Sequence, residues 1–286
     1  MQLLSVAIMA SAPLFNKFGV TAGVGPLWGS VLSAAIGSAG CLAFGLIRKR
    51  RPMLIPTAPM LLITAANAAG LTLLYLSAVW LAPAQVGFYS RSYILFATAF
   101  SYWLLAERVS AIGGACLLVI VCGGLLFTGS GSATAPAFGV LAVLAYAAFF
   151  AMTNVLIKRL APEQDSNDTL FTINVCTLIP LLPAALLSEG AVPVNGGTAW
   201  ICLASFLNGF LGLILFYEAL KRIPSNEANA IRTISPVLTL VYSAAFYPIA
   251  LTPAVVAGAV LIVFAAGYLS LCPGAKKPLR PGRRGP

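Results

Sequence analysis

Three basic side chains stand inside stretches that are otherwise apolar: Lys17, Arg91 and Arg232. A cation at the centre of a bilayer costs roughly 2.5–3.5 kcal/mol on insertion scales, so such a residue normally faces a cavity or a partner. Arginine suits one chemistry in particular, because its planar guanidinium gives a carboxylate or a phosphate two parallel hydrogen bonds. Arg91 and Arg232 are therefore candidate substrate ligands. The competing reading for Arg232 is an ion pair with Glu218 or Glu227. Glu227 precedes it by five positions and so does not share its helix face. Lys17 falls near the end of its stretch, where a long aliphatic stem lets the ammonium reach the interface. Tyr75, Tyr217, Tyr89, Asn154, Asn229 and Asn16 complete the candidate substrate-binding set. Asn67, Gln85, Tyr93, Asn174 and Asn208 are further polar residues on the same stretches. Some of these are interhelical glue, contributing about 1 kcal/mol each at most.

Other chemistries are poorly served. The chain has no histidine, which removes the commonest metal ligand and the usual acid–base group near neutral pH. Its six cysteines form no CxxC pair, and five lie in apolar stretches, where they read as small hydrophobes. No aspartate lies inside an apolar stretch. We therefore assign no catalytic residue, metal ligand or cofactor. An intramembrane enzyme and a non-transport membrane subunit remain as remote alternatives.

The elements that must hold these residues are membrane helices. Sixty per cent of the 286 residues are hydrophobic and 8% are charged, against roughly 25% charged in a soluble domain. A crossing helix needs about 20 apolar residues. Ten stretches qualify, near 3–21, 27–47, 57–77, 84–105, 111–128, 137–157, 169–187, 199–217, 227–246 and 253–271. The expected fold is an all-α integral membrane protein. Leu3 to Met9 followed by Ala10-Ser11-Ala12 has the outline of a signal peptide, but no basic side chain precedes it. It is read as the first helix.

The net charge of +10 does not point to nucleic acid, because the basic residues cluster between apolar stretches. With both termini cytoplasmic, the inner loops hold Arg48 to Arg51, Arg108, Lys158, Arg159, Lys221, Arg222 and a basic tail over 273–286, and the outer loops hold no Lys or Arg. That is the positive-inside pattern. Trp28, Trp80, Trp103 and Trp200 all fall near helix ends, as an interfacial belt would require.

The chain also repeats itself. Gly70-Leu-Thr-Leu-Leu-Tyr75 returns 142 positions later as Gly212-Leu-Ile-Leu-Phe-Tyr217, and the same shift sets Ile120-Val121 on Ile262-Val263. Five helices per half is an odd number, so the halves would insert with opposite orientation. Duplicated halves of this kind are the architecture of secondary transporters, with substrate held between the repeats. Under the shift Arg232 meets Ser90, the neighbour of Arg91, so the two arginines occupy near-equivalent places.

A resemblance sharpens this. Tyr93 to Ser110, with Glu107-Arg108 near its end, then Gly113-Gly114 and an apolar helix closing near Gly123-Gly124, resembles the fourth and fifth helices of the EamA module of the drug/metabolite transporter superfamily. Arg232 to Leu238, with Pro236, is similar to the matching part of a second module. The first half departs in having Ile94 where Pro236 stands, and the second in having Ile249 where Glu107 stands. The resemblance implies ten transmembrane helices as a 5+5 inverted repeat around a central cavity, with one repeat over 1–130 and the other over 131–272. It implies transport of a small-molecule metabolite through the lipid bilayer. The short termini and loops suggest a bacterial plasma (inner) membrane, and the oligomeric state is left open between a monomer and a homodimer. A carboxylate-bearing solute such as an amino acid is the expected substrate. An organophosphate or nucleotide-sugar exchanger is the alternative.

Overall fold

Apolar chain in lipid must satisfy its backbone polar groups within itself, and a helix does so inside one segment. The computed structural model describes residues 2–105, 136–160, 164–222, 234–247 and 252–271, with the short pieces 114–116, 118–119, 122–123 and 231–232. Among these residues there are helices and turns and no strand. In chain order the helices are α1 (Gln2–Ala10), α2 (Ala12–Thr21), α3 (Pro26–Ile47), α4 (Ala58–Trp80), α5 (Pro83–Tyr89) and α6 (Tyr93–Leu105). They continue with α7 (Ala137–Leu160), α8 (Ser166–Glu189), α9 (Gly196–Ala204), α10 (Leu213–Arg222), α11 (Ser235–Ala244) and α12 (Pro253–Leu271).

Six stretches among the described residues are long and apolar enough to cross a membrane: Gln2–Thr21, Pro26–Ile47, Ala58–Trp80, Ala137–Arg159, Ser166–Glu189 and Gly196–Ala219. They coincide, within a few residues at each end, with six of the ten expected. Segment 84–105 is α5 and α6, parted by a 3₁₀ turn at Ser90–Ser92. Segment 253–271 is α12. Most of 111–128, the link over 129–135, the tail over 272–286, and Glu107, Arg108, Glu227 and Asn229 lie outside the described residues.

Three interruptions shape the interior. The first lies between α1 and α2, where Pro13 has no N–H and its ring crowds the preceding turn. Leu14 N–H there bonds to Ser11 O instead of Ala10 O one residue further back. The carbonyl of Ala10 so released accepts from the Thr239 hydroxyl at 2.8 Å. The second is the 3₁₀ turn at Ser90–Ser92. The third is a π-helical stretch, Ser205–Gly212, joining α9 to α10. Here too a hydroxyl meets a carbonyl, with Ser5 donating to Gly212 O at 2.7 Å. Irregular backbone at membrane depth persists only where side chains or a wet cavity satisfy it.

Helices from early in the chain pack on helices from late in it. α3 lies along α8, α4 and α6 lie on α7, α2 lies on α9, and α5 lies on α11. α1 sits between the π-helical stretch and α11. Small residues permit the closest of these approaches. A Cβ at Gly37 on α3 would stand 2.6 Å from Asn174 Nδ2 on α8.

Polar side chains tie the helix ends. The Lys17 ammonium donates to Ala78 O at 2.9 Å and Val79 O at 3.2 Å. It thus caps carbonyls that the end of α4 leaves without a helical partner. Snorkelling does describe its reach, but the destination is a neighbouring helix end. At the start of α3, Glu189 accepts from Leu27 N–H at 2.9 Å and Trp28 N–H at 3.0 Å. A carboxylate is well placed there by the helix dipole. Trp28 donates its indole N–H to Gly190 O at 3.0 Å and is buried. This corrects the expected interfacial role of Trp28, whereas Trp80, Trp103 and Trp200 are exposed. On the opposite face Asp168 accepts from Arg50 at 2.9 Å and from Met53 N–H at 3.1 Å. That pair straps the 48–57 connection to the start of α8.

Candidate functional site

The 3₁₀ turn at Ser90–Ser92 and the start of α11 meet in the interior, and each brings an arginine. The 3₁₀ turn shifts Arg91 off the face that a regular α5–α6 helix would give it. Its guanidinium reaches across to the second arginine's backbone. Arg91 Nη1 donates to Arg232 O at 3.1 Å, Nη2 to Ser235 Oγ at 3.1 Å, and Nε to Gly87 O at 3.2 Å. All three nitrogens of the fork are thereby spent within the protein.

Arg232 is differently held. It is 6% exposed, and its guanidinium carbon lies 4.2 Å from the Phe216 ring centre, 4.9 Å from Phe150 and 5.5 Å from Tyr93. Each face-on aromatic contact contributes about 0.5–2 kcal/mol. Arg232 Nη1 is buried and has no hydrogen-bond partner. A buried donor left unpaired costs about 1–3 kcal/mol, more when charged. The two arginines, placed equally by the sequence, are thus unlike: Arg91 is a clamp and Arg232 holds an open donor.

Both line a cavity of about 40 Å³ with Asn16, Ser90, Tyr146, Asn208 and Ser235. A second cavity of about 50 Å³ adjoins it, lined by Ser33, Asn67, Tyr146, Thr153, Asn174 and Asn208 among others. Met9, Leu74, Tyr146 and Asn208 belong to both walls. A single water needs roughly 10–15 Å³, so each chamber holds a few waters in this conformation. Among the described residues, no Asp or Glu lines either chamber.

Of the predicted binding residues, Arg91, Arg232 and Asn16 come together on the first chamber. Asn229 lies outside the described residues. The other four are not on the cavity walls. Tyr75 is buried against Trp28, Val31 and Ala68, and its hydroxyl meets Ser33 and Ser205. Tyr217 is buried among Cys41, Met60, Ile157 and Phe216. Tyr89 packs beside Leu74, Leu81 and Val143. Asn154 is buried with neither amide atom partnered, off both chambers.

Helix geometry explains the difference. Successive residues stand about 100° apart around a helix. On α7 the cavity face is Tyr146, Phe150 and Thr153, spaced i, i+4 and i+7. Asn154 is one step round. On α4 the face carries Asn67, Gly70, Leu71 and Leu74, and Tyr75 is again one step round. Tyr146 was absent from the predicted set, and its spacing with Thr153 was the available signal. Asn208 was among the polar residues noted, but the π-helix that turns it toward both chambers has no period that marks it in advance.

Residues 137–271 match the EamA-like transporter family. This stretch is therefore an EamA-like module. That family is part of the drug/metabolite transporter superfamily, a superfamily of membrane transporters, and the match agrees with the apolar helices of a multi-pass membrane protein. The matched span carries α7 to α12, and hence Arg232, Tyr146, Phe150, Thr153, Asn174 and Asn208. A solved structure, described only as a crystal structure of a protein, is similar over 94% of this chain and 94% of its own, with 20% identity and a TM-score of 0.75. At that identity the likeness shows a shared fold. No curated protein matches this chain.

Proposed function

We propose that this protein is a secondary transporter that carries a small polar metabolite bearing a carboxylate, an amino acid or another such solute, by alternating access. The observation that carries this reading is Arg232: a buried guanidinium on a cavity wall, with an unpartnered nitrogen and no acidic residue among the described residues of the lining. An anion entering the cavity would complete that donor and offset both charges, which is the role arginine fills at carboxylate sites. The 142-position repeat supports ten helices in two halves of opposite orientation. The cavity would lie between the halves, and their rocking would open it to each side in turn. The positive-inside distribution supports cytoplasmic termini in a bacterial plasma membrane.

One observation favours a second reading, an organophosphate or nucleotide-sugar exchanger. Two guanidinium groups meet at a single chamber, and a phosphate dianion would match two positive charges.

The test is ligand-induced thermal stabilisation of the detergent-purified protein with anionic, zwitterionic and cationic metabolites. A compound that binds the folded state alone raises its stability in proportion to the logarithm of its concentration over Kd. Stabilisation confined to carboxylates supports the first reading, and stabilisation by phosphate esters the second. Stabilisation by cations alone would refute both.

A further inference from the structure

We propose that the two chambers hold two parts of one solute: an anionic head at Arg232 and an uncharged, hydrogen-bonding tail, hydroxyl or amide, in the chamber of Asn67, Thr153 and Asn174. The proposal rests on the anion-binding reading of Arg232 and narrows it to a class of substrate.

The second chamber is polar without being charged. Asn67 spends its Nδ2 on Thr177 Oγ1 at 3.2 Å. The Thr153 hydroxyl spends its proton on Phe149 O at 2.9 Å. Thr153 therefore has only its acceptor oxygen left for a solute, and Asn67 keeps its amide oxygen as an acceptor beside one remaining N–H. Asn174 supplies the complement: it is 6% exposed and its Nδ2 has no partner. The wall therefore presents acceptors beside an unsatisfied donor, and a hydroxyl or a primary amide, each both donor and acceptor, satisfies them together.

Other tails fit worse. A hydrocarbon would leave the Asn174 donor buried and unpaired, the situation in which a site built to hydrogen-bond a polar group rejects its apolar analogue. An ammonium would find no carboxylate among the described residues of either lining. It would also stand near two guanidinium groups. The two chambers share Tyr146 and Asn208 as common wall, so the head and tail sites are neighbours across those two side chains. The solute class is thus a carboxylate with a neutral polar tail, and a tail that ends in an ammonium is disfavoured.

The experiment titrates the full-length protein with two matched sets of carboxylates. The four-carbon set is butyrate, 4-hydroxybutyrate, succinamate and 4-aminobutyrate, and the six-carbon set is hexanoate, 6-hydroxyhexanoate, adipamate and 6-aminohexanoate. The hydroxyl or amide member of at least one set should bind about 10-fold tighter, or more, than its unsubstituted parent and its amine counterpart. Asn174→Ala and, independently, Thr153→Val should each reduce that preference, by weakening the tail-bearing member relative to its parent. Thr153→Val keeps the side-chain shape, so it reads the chamber even where the asparagine variant fails to fold. Equal affinity for parent and tail-bearing members in both sets overturns the proposal and leaves the anion site standing, as does a preference that survives both substitutions. Failure of every carboxylate in both sets to bind removes the anion-binding reading, and this proposal with it.

Discussion

Arg91 and Arg232 should separate into a structural residue and a ligand when each is replaced by alanine. Arg91 makes three hydrogen bonds from a charged fork to the backbone and to Ser235. Bonds involving a charged group contribute about 1.5–3 kcal/mol each, against a relief of roughly 2.5–3.5 kcal/mol on removing a cation from the membrane interior. Arg91→Ala should therefore lose about 1–6 kcal/mol of stability. Arg232 makes three aromatic contacts at about 0.5–2 kcal/mol each, offset by the same relief on removal. Arg232→Ala should therefore lie between about 2 kcal/mol more stable and about 3.5 kcal/mol less stable than wild type. Its binding should suffer instead. Two charge-assisted bonds to a carboxylate are worth about 3 kcal/mol or more, which is a loss of roughly 150-fold or more in affinity. Arg232→Lys keeps the charge but not the planar fork, and should fall between, about 10- to 100-fold weaker. The assay is thermal unfolding of each purified variant in one detergent, with and without a carboxylate that stabilises wild type. Wild-type affinity in Arg232→Ala would refute the assignment of the open donor. Wild-type stability in Arg91→Ala would refute the clamp.

Three further outcomes follow from the same contacts. Lys17→Met should cost about 1–2 kcal/mol in thermal unfolding, because Ala78 O and Val79 O lose their donor. The substrate preference should stay unchanged, since Lys17 lines neither chamber. Gly37→Ala should cost about 1–3 kcal/mol and weaken binding of tail-bearing carboxylates, because its Cβ would meet Asn174 Nδ2 at 2.6 Å and push the amide out of place. Asp168→Asn should release the 48–57 strap by weakening its bonds to Arg50 and Met53 N–H, seen as faster tryptic cleavage at the Arg48–Arg51 cluster. Unchanged cleavage would show that Thr172, which accepts from Ile55 N–H at 3.1 Å, holds the strap alone.

The sequence by itself determined that this is a helical membrane protein, and roughly where its helices lie. Length and polarity decide that, since a run of about 20 apolar residues has one stable form in lipid. It also drew attention to Arg91, Arg232 and Asn16, because an ionised or amide group in an apolar run is conspicuous wherever it points. What it could not decide was direction. Tyr75 and Asn154 were as polar as Asn67 and Thr153, yet one residue of phase, about 100°, turned them from the cavity into packing. On helices apolar nearly all round, no amphipathic stripe marks which face is inward. Tertiary structure decided three further matters. The 3₁₀ turn at Ser90–Ser92 aimed Arg91 at the backbone of Arg232. The π-helix at Ser205–Gly212 placed Asn208 between the two chambers. The approach of α7, α10 and the first residue of α6 surrounded Arg232 with three rings. Each is a contact between residues far apart in the chain, formed at an irregular turn whose geometry depends on the neighbours that satisfy it.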